Sequence, residues 1–196
     1  MIYLLKNAIQ ATWNEEASYN HELSMDRFIF RQGGYISGEE IQKPIIFDSP
    51  LEKEKARSYA NIANDSGFLL INSVLVELLG RLAPEDVQFF RAEIRCKDGS
   101  IGDYQLVNII HIVKGGSGDR PAVETMYELD ISGGSNRIVL DKNCLDRCKI
   151  ARLAEMRDCI LVDREIKEAF DAVQANGIRF ITPEDHYMAM FNNYDT

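Results

Sequence analysis

Few side chains in this sequence are placed to carry out chemistry. His111 lies in the apolar run Ile109-Ile110-His111-Ile112-Val113. An imidazole there can serve as a general base. More often such a residue is a strand histidine, on the polar face or hydrogen-bonded in the core. Cys144 and Cys148 frame Leu145-Asp146-Arg147, a three-residue gap between thiols. Structural zinc sites use gaps of roughly two to four residues, with a second ligand pair. Cys96, Cys159, His111 or His186 are the available completions, but nothing in the spacing brings them together. Unpaired thiols, one filling apolar space beside Leu145, are the simpler reading.

Lys114-Gly115-Gly116-Ser117-Gly118-Asp119 resembles a phosphate cradle only at first sight. A phosphate loop needs a strand, then glycines, then Lys-Ser/Thr opening a helix. Here the lysine comes first, and Arg120-Pro121-Ala122 and a strand follow. An inter-strand loop fits better. No other nucleotide, hydrolase or zinc-protease signature stands in the chain. The sequence therefore predicts no catalytic residue, no cofactor and no metal.

Charge bears on partners. The chain of 196 residues carries 31 acidic and 22 basic residues, a net charge of −9. Such a surface repels phosphate backbones, which argues against sequence-independent nucleic-acid binding. It attracts a basic partner, or it simply maintains solubility. The acidic pairs Glu15-Glu16, Glu39-Glu40 and Glu184-Asp185 are dispersed and read as solvated surface; an acidic binding face is the sharper alternative. Four cysteines fall short of a disulfide scaffold and suit reduced thiols. No segment has the length and hydropathy of a membrane span, and the start Met1-Ile2-Tyr3-Leu4-Leu5-Lys6 is not a signal sequence. A cytoplasmic protein is the expectation.

The elements that must hold these residues show one internal likeness. Leu70-Ile71-Asn72-Ser73 through Phe89-Phe90 reads as strand, cap, helix and strand, and Leu161-Val162-Asp163-Arg164 through Phe180-Ile181 repeats that order without a gap. Leu75, Leu78, Leu79 and Leu82 match Ile166, Ala169, Phe170 and Val173. The spacing i, i+3, i+4, i+7 places each set on one helical stripe. Asn72 or Ser73 caps the first helix, and Asp163 caps the second. Pro84 ends the first helix. Asn176-Gly177 stops the second, which is expected to run to about Ala175.

Between the units, Tyr104 to Val113 reads as one long strand. Glu124 to Ile131 and Asn136 to Leu140 read as a hairpin across Ser132-Gly133-Gly134-Ser135. Further short strands are expected at residues 2–5, 149–153, 159–162 and 178–181. Leu51 to Ala63 is a candidate short helix, and Thr182 onward a candidate last helix with Tyr187, Met188 and Phe191 on one side. The expected architecture is α+β: a central, mostly antiparallel sheet with a few packed helices.

Arg137-Ile138-Val139-Leu140-Asp141, Lys149-Ile150-Ala151-Arg152-Leu153, Ile160 to Phe170 and Asn176-Gly177-Ile178-Arg179-Phe180 together resemble a family of small bacterial immunity proteins encoded beside polymorphic or secreted toxins. Leu82 to Phe90 and Tyr104 to Asn108 fit the same layout. Asp163 stands where the family often has Ser, and Ala151 where it often has an aromatic. The likeness covers about residues 68–183. Residues 1–67 are a divergent N-terminal part of a single domain spanning 1–196. The resemblance implies neutralisation of a cognate toxin by binding, and no catalytic residues. An adaptor or chaperone for a secreted protein is the second reading, and a hydrolase built around His111 and the cysteines is the third.

Overall fold

A computed structural model describes residues 1–8, 15–116, 123–126, 135–183 and 185. Among the described residues, two five-stranded sheets and three α-helices carry the fold. The α+β class and the mostly antiparallel pairing are as the sequence predicts. The strands divide over two sheets, where a single central one was expected.

The first sheet has the order β12-β1-β11-β10-β7, with β1 Ile2–Asn7, β7 Ile112–Val113, β10 Ile150–Leu153, β11 Met156–Asp163 and β12 Ile178–Ile181. The second has the order β2-β3-β5-β6-β4, with β2 Ser18–Tyr19, β3 Ile46–Asp48, β4 Leu70–Asn72, β5 Val87–Cys96 and β6 Gly99–Ile109. Among the described strands, pairing is parallel only in β10 with β7 and in β3 with β5. A separate hairpin joins β8 Val123–Met126 to β9 Ser135–Ile138. Its expected Ser132-Gly133-Gly134 tip lies outside the described residues, as do His186, Tyr187, Met188 and Phe191 of the expected last helix.

The two repeated units share a topology. β4 and β5 flank β6, each antiparallel to it, and α2 Ser73–Leu82 connects them. β11 and β12 flank β1 in the same way, and α3 Arg164–Ala172 connects them. Each unit is therefore a strand–helix–strand crossover with one antiparallel strand inserted in the middle. That strand follows the first unit in the chain and precedes the second.

Capping sets both helix starts. The Asn72 side chain accepts from Leu75 N at 3.1 Å, and Asp163 accepts from Ile166 N at 2.9 Å. Each carboxylate or amide oxygen satisfies an N–H that has no partner inside the helix. Leu75, Leu79, Ile166 and Phe170 are fully buried. They share one core with Leu5, Val107, Ile109, Ile150 and Ile160, drawn from both sheets. The two helices also pack on each other.

Several boundaries differ from expectation. α3 ends at Ala172, because Gln174 already takes a left-handed φ of 51°. Val173 is therefore off the stripe, at 43% exposure. The helix after Leu51 is only Lys53–Arg57 (α1). The run predicted as one strand from Tyr104 breaks after Ile109, and β7 pairs elsewhere. His111 thus stands in the link between the two sheets and not within a strand. Among the described residues no helix is long and apolar enough to cross a membrane.

Candidate functional site

The β6–β7 link places His111 against Asp86, in the turn that precedes β5. His111 Nε2 lies 3.1 Å from Asp86 Oδ1. The other carboxylate oxygen accepts from Lys149 N at 2.7 Å. The Asp86 carbonyl accepts from Ile110 N at 2.9 Å. Asp86 is nearly buried, at 6% exposure. One carboxylate thus fastens three segments: the turn after α2, the inter-sheet link, and the start of β10. A cavity of about 460 Å³ opens beside it, with Pro84, Cys148, Lys149 and Asp163 among its walls.

An Asp–His pair is the orienting half of a nucleophilic triad. The missing half is an activated nucleophile, and Cys148 is the thiol at hand. Burial pushes its pKa up to about 11, with the Asp86 and Cys144 charges adding to the effect. Burial, with Asp141 adding to it, pushes Cys144 to about 11 as well. A nucleophilic cysteine needs the opposite shift, because the thiolate attacks. The arrangement supports a structural role for Asp86 and does not supply a reactive thiol.

The other two cysteines lie in different sheets. Cys96 ends β5 in the second sheet, and Cys159 is buried in β11 of the first, where its thiol accepts from Lys6 Nζ at 3.3 Å. All four described cysteines are free. Among the described residues no three His, Cys, Asp or Glu side chains are grouped to hold a metal ion. Of the phosphate-cradle residues, Ser117, Gly118 and Asp119 lie outside the described residues. Of the acidic pairs, Glu39 and Glu40 are exposed on a short turn, where Glu40 accepts from Ser37 N at 2.8 Å and caps it. Glu184 lies outside the described residues.

Sequence reasoning missed a cluster of arginines between the two sheets. The one-turn 3-10 helix Arg27–Arg31 reaches across from the N-terminal part. Arg31 pairs with Asp158 of β11 at 2.7 Å and donates to the Ser66 carbonyl; Arg27 Nη1 donates to Ser66 Oγ at 2.9 Å. Arg152 of β10 is 1% exposed, and its Nη1 donates to the Arg157 carbonyl at 2.9 Å. Burial first, then the neighbouring Arg31 charge, hold its pKa down at about 10. Arg179 of β12 is not part of this cluster: it leaves the opposite face of the first sheet, beside Lys6, and burial lowers its pKa. The available signal was an arginine set in an apolar strand, as in Ile-Ala-Arg-Leu.

No curated protein matches the sequence. A family match does, over residues 6–185. It covers both repeated units, the inter-sheet link with Asp86 and His111, and most of the N-terminal part, which on sequence alone fitted the resemblance only loosely. On that match the chain belongs to the Immunity protein family (Imm11).

Proposed function

We propose that this protein is a non-enzymatic immunity protein that binds a cognate bacterial toxin or secreted effector and neutralises it in the cytoplasm, with residues 1–196 acting as one domain. The family match over residues 6–185 carries this reading. The raised pKa of the Cys148 thiol near Asp86 argues against that thiol as a nucleophile. Co-expression with the product of the immediately adjacent gene is the test. Restored growth together with a complex that co-purifies is the expected result. Co-purification without restored growth favours an adaptor or chaperone, and failure of both removes the immunity reading.

In the same assay, His111→Asn and the double change Cys144→Ser, Cys148→Ser are expected to retain protection. Asp86 keeps the Lys149 N–H in the first case, and no activated thiol is lost in the second. Loss of protection by a well-folded variant counts directly against a purely binding mechanism.

The net charge of −9 suits a toxin with a basic face. Charge complementarity acts mainly on the association rate, and salt screens it. The on-rate is expected to fall several-fold between low and high ionic strength, with a smaller change in off-rate. Stopped-flow mixing at several salt concentrations measures both. A salt-independent on-rate leaves the acidic surface as a solubility device.

A further inference from the structure

One tyrosine stands out of the fold on a backbone that the second sheet holds in place. Among the described residues, Tyr35 is 75% exposed, more than any other large apolar side chain except the terminal Met1. Its side chain makes no hydrogen bond or ring contact with them. Both sequence neighbours are tied down. Gly34 N donates to the Ile110 carbonyl at 2.6 Å, and the Gly34 carbonyl accepts from Asn108 Nδ2 at 3.0 Å. Ile36 N donates to Gln88 Oε1 at 2.8 Å, and the Ile36 carbonyl accepts from Gln88 Nε2 at 2.9 Å. The Ile36 side chain is buried in the core beside the second sheet.

Holding this segment has a cost. Gln88 and Asn108 are direct partners in the β5–β6 register, and Asn108 Nδ2 also donates to Gln88 Oε1 at 3.0 Å. Asn108 is fully buried, and its Oδ1 lacks a hydrogen-bond partner among the described residues. A buried acceptor left unanswered destabilises a fold. An apolar pair at these two positions would avoid that loss, but it would leave the Gly34 carbonyl and both Ile36 backbone groups without these partners. The polar pair thus secures the conformation of residues 34–36, and Tyr35 is the one side chain there that projects to the surface.

The exposed charges on the segment that carries it have one sign. Between residues 22 and 40 they are Glu22, Asp26, Glu39 and Glu40. The two arginines of that stretch are partly buried and engaged, Arg27 with Ser66 and Arg31 with Asp158. Glu40 accepts from Ser37 N, two residues beyond Tyr35. Phe28 is exposed as well, but the Arg27 guanidinium already lies over its ring, 5.5 Å from the centroid.

We propose that Tyr35 is an anchor of the toxin interface: its ring enters an apolar pocket in a basic face of the partner protein, and Glu39 and Glu40 meet that face beside it. The identity of the partner rests on the immunity reading. A tyrosine offers a large contact area with few rotatable bonds, and interface anchors are enriched in it. A backbone fixed in advance lowers the ordering cost of binding. The carboxylates attract a basic surface and repel an acidic one, which acts on the association rate. A second copy of this chain fits poorly, because a symmetric contact through this segment brings its own carboxylates together.

The test uses the full-length protein and the product of the immediately adjacent gene. Tyr35→Ala is expected to weaken the complex at least about tenfold, mostly through faster dissociation. The thermal midpoint of the free variant should match that of the wild type, because the side chain has no polar or ring partner to lose among the described residues. Val74→Ala, at an exposed apolar position on α2, is the control and is expected to leave the affinity unchanged. The double change Glu39→Gln, Glu40→Gln is expected to slow association several-fold at low salt and to flatten its salt dependence. Glutamine keeps an acceptor for Ser37 N, so the turn survives.

A toxin that binds wild type and Tyr35→Ala with equal affinity overturns the anchor and leaves the immunity reading standing. An equal loss in Val74→Ala overturns it too, since the effect then belongs to no particular site. An unchanged association rate in the double variant removes the carboxylates from the interface. Sedimentation of the free protein checks the remaining occupant: a dimer that Tyr35→Ala dissociates makes this face a contact between copies and overturns the toxin anchor. If the wild-type protein does not bind the adjacent product, the immunity reading falls and the anchor falls with it.

Discussion

Phe170→Ala is expected to destabilise the protein by about 3 to 5 kcal/mol. Phe170 is fully buried on α3 and meets Phe180 of β12 edge-to-face, with ring centroids 6.1 Å apart. It sits in the core that Leu75 and Leu79 of α2 share with strands from both sheets. Removing the ring opens a cavity where two helices and both sheets meet. The surrounding backbone is held by strand pairing and can close that space only in part. Leu79→Ala, in the same core and equally buried, is expected to cost about 2 to 5 kcal/mol. Such losses are a large share of a typical folding stability of about 5 to 15 kcal/mol, so protection in cells should fall as well. Urea unfolding measures the cost, and a loss below about 1 kcal/mol for Phe170→Ala removes it from the core.

Gly177→Ala is expected to cost about 3 kcal/mol or more, although it adds a single methyl group. Gly177 has a φ of 82°, and a Cβ there would sit 2.0 Å from the Asn61 carbonyl oxygen. The left-handed conformation alone costs a non-glycine residue about 1 to 2 kcal/mol. The obstacle is backbone, so no side chain can swing aside. Relief requires the chain to shift, and the joint around it is densely bonded. The Gly177 carbonyl accepts from Ala8 N at 3.0 Å and from Asn61 Nδ2 at 2.9 Å. Asn176 Oδ1 accepts from Ala60 N at 2.7 Å, and Asn61 Oδ1 accepts from Leu70 N at 2.9 Å. These bonds tie the segment before β4 to the turn before β12. Gly34→Ala is the control, since Gly34 has a φ of 88° with open space around its Cβ position. Comparable thermal midpoints for the two variants would show that the contact with Asn61 is not restrictive.

The sequence by itself determined the local grammar of this protein. Asn72, Asp163 and Pro84 marked helix boundaries because capping and proline sterics act within one turn of the chain. Leu75 and Leu79, Ile166 and Phe170 declared their buried faces through helical period. The strand Ile178–Ile181 was read at its true limits, and the family layout from residue 68 onward was legible in the same short motifs. At Gly177 the sequence showed a turn but not its obstacle, because Asn61 lies far away in the chain. Gln174, which ends α3, gave no local sign of a left-handed conformation.

Tertiary structure alone decided which strands became neighbours. β1, from the N-terminal end, lies between β11 and β12 near the other end of the chain, and the strands divide into two sheets. Hydrophobic alternation tells a strand which face to bury and leaves its partner open. The same long-range pairing set His111 on Asp86, Lys6 opposite Arg179, and Arg31 on Asp158. Formal charge and residue type can be counted along a chain. Whether a charge is buried, and whether a counterion reaches it, depends on segments distant in sequence, and only the folded arrangement brings those together.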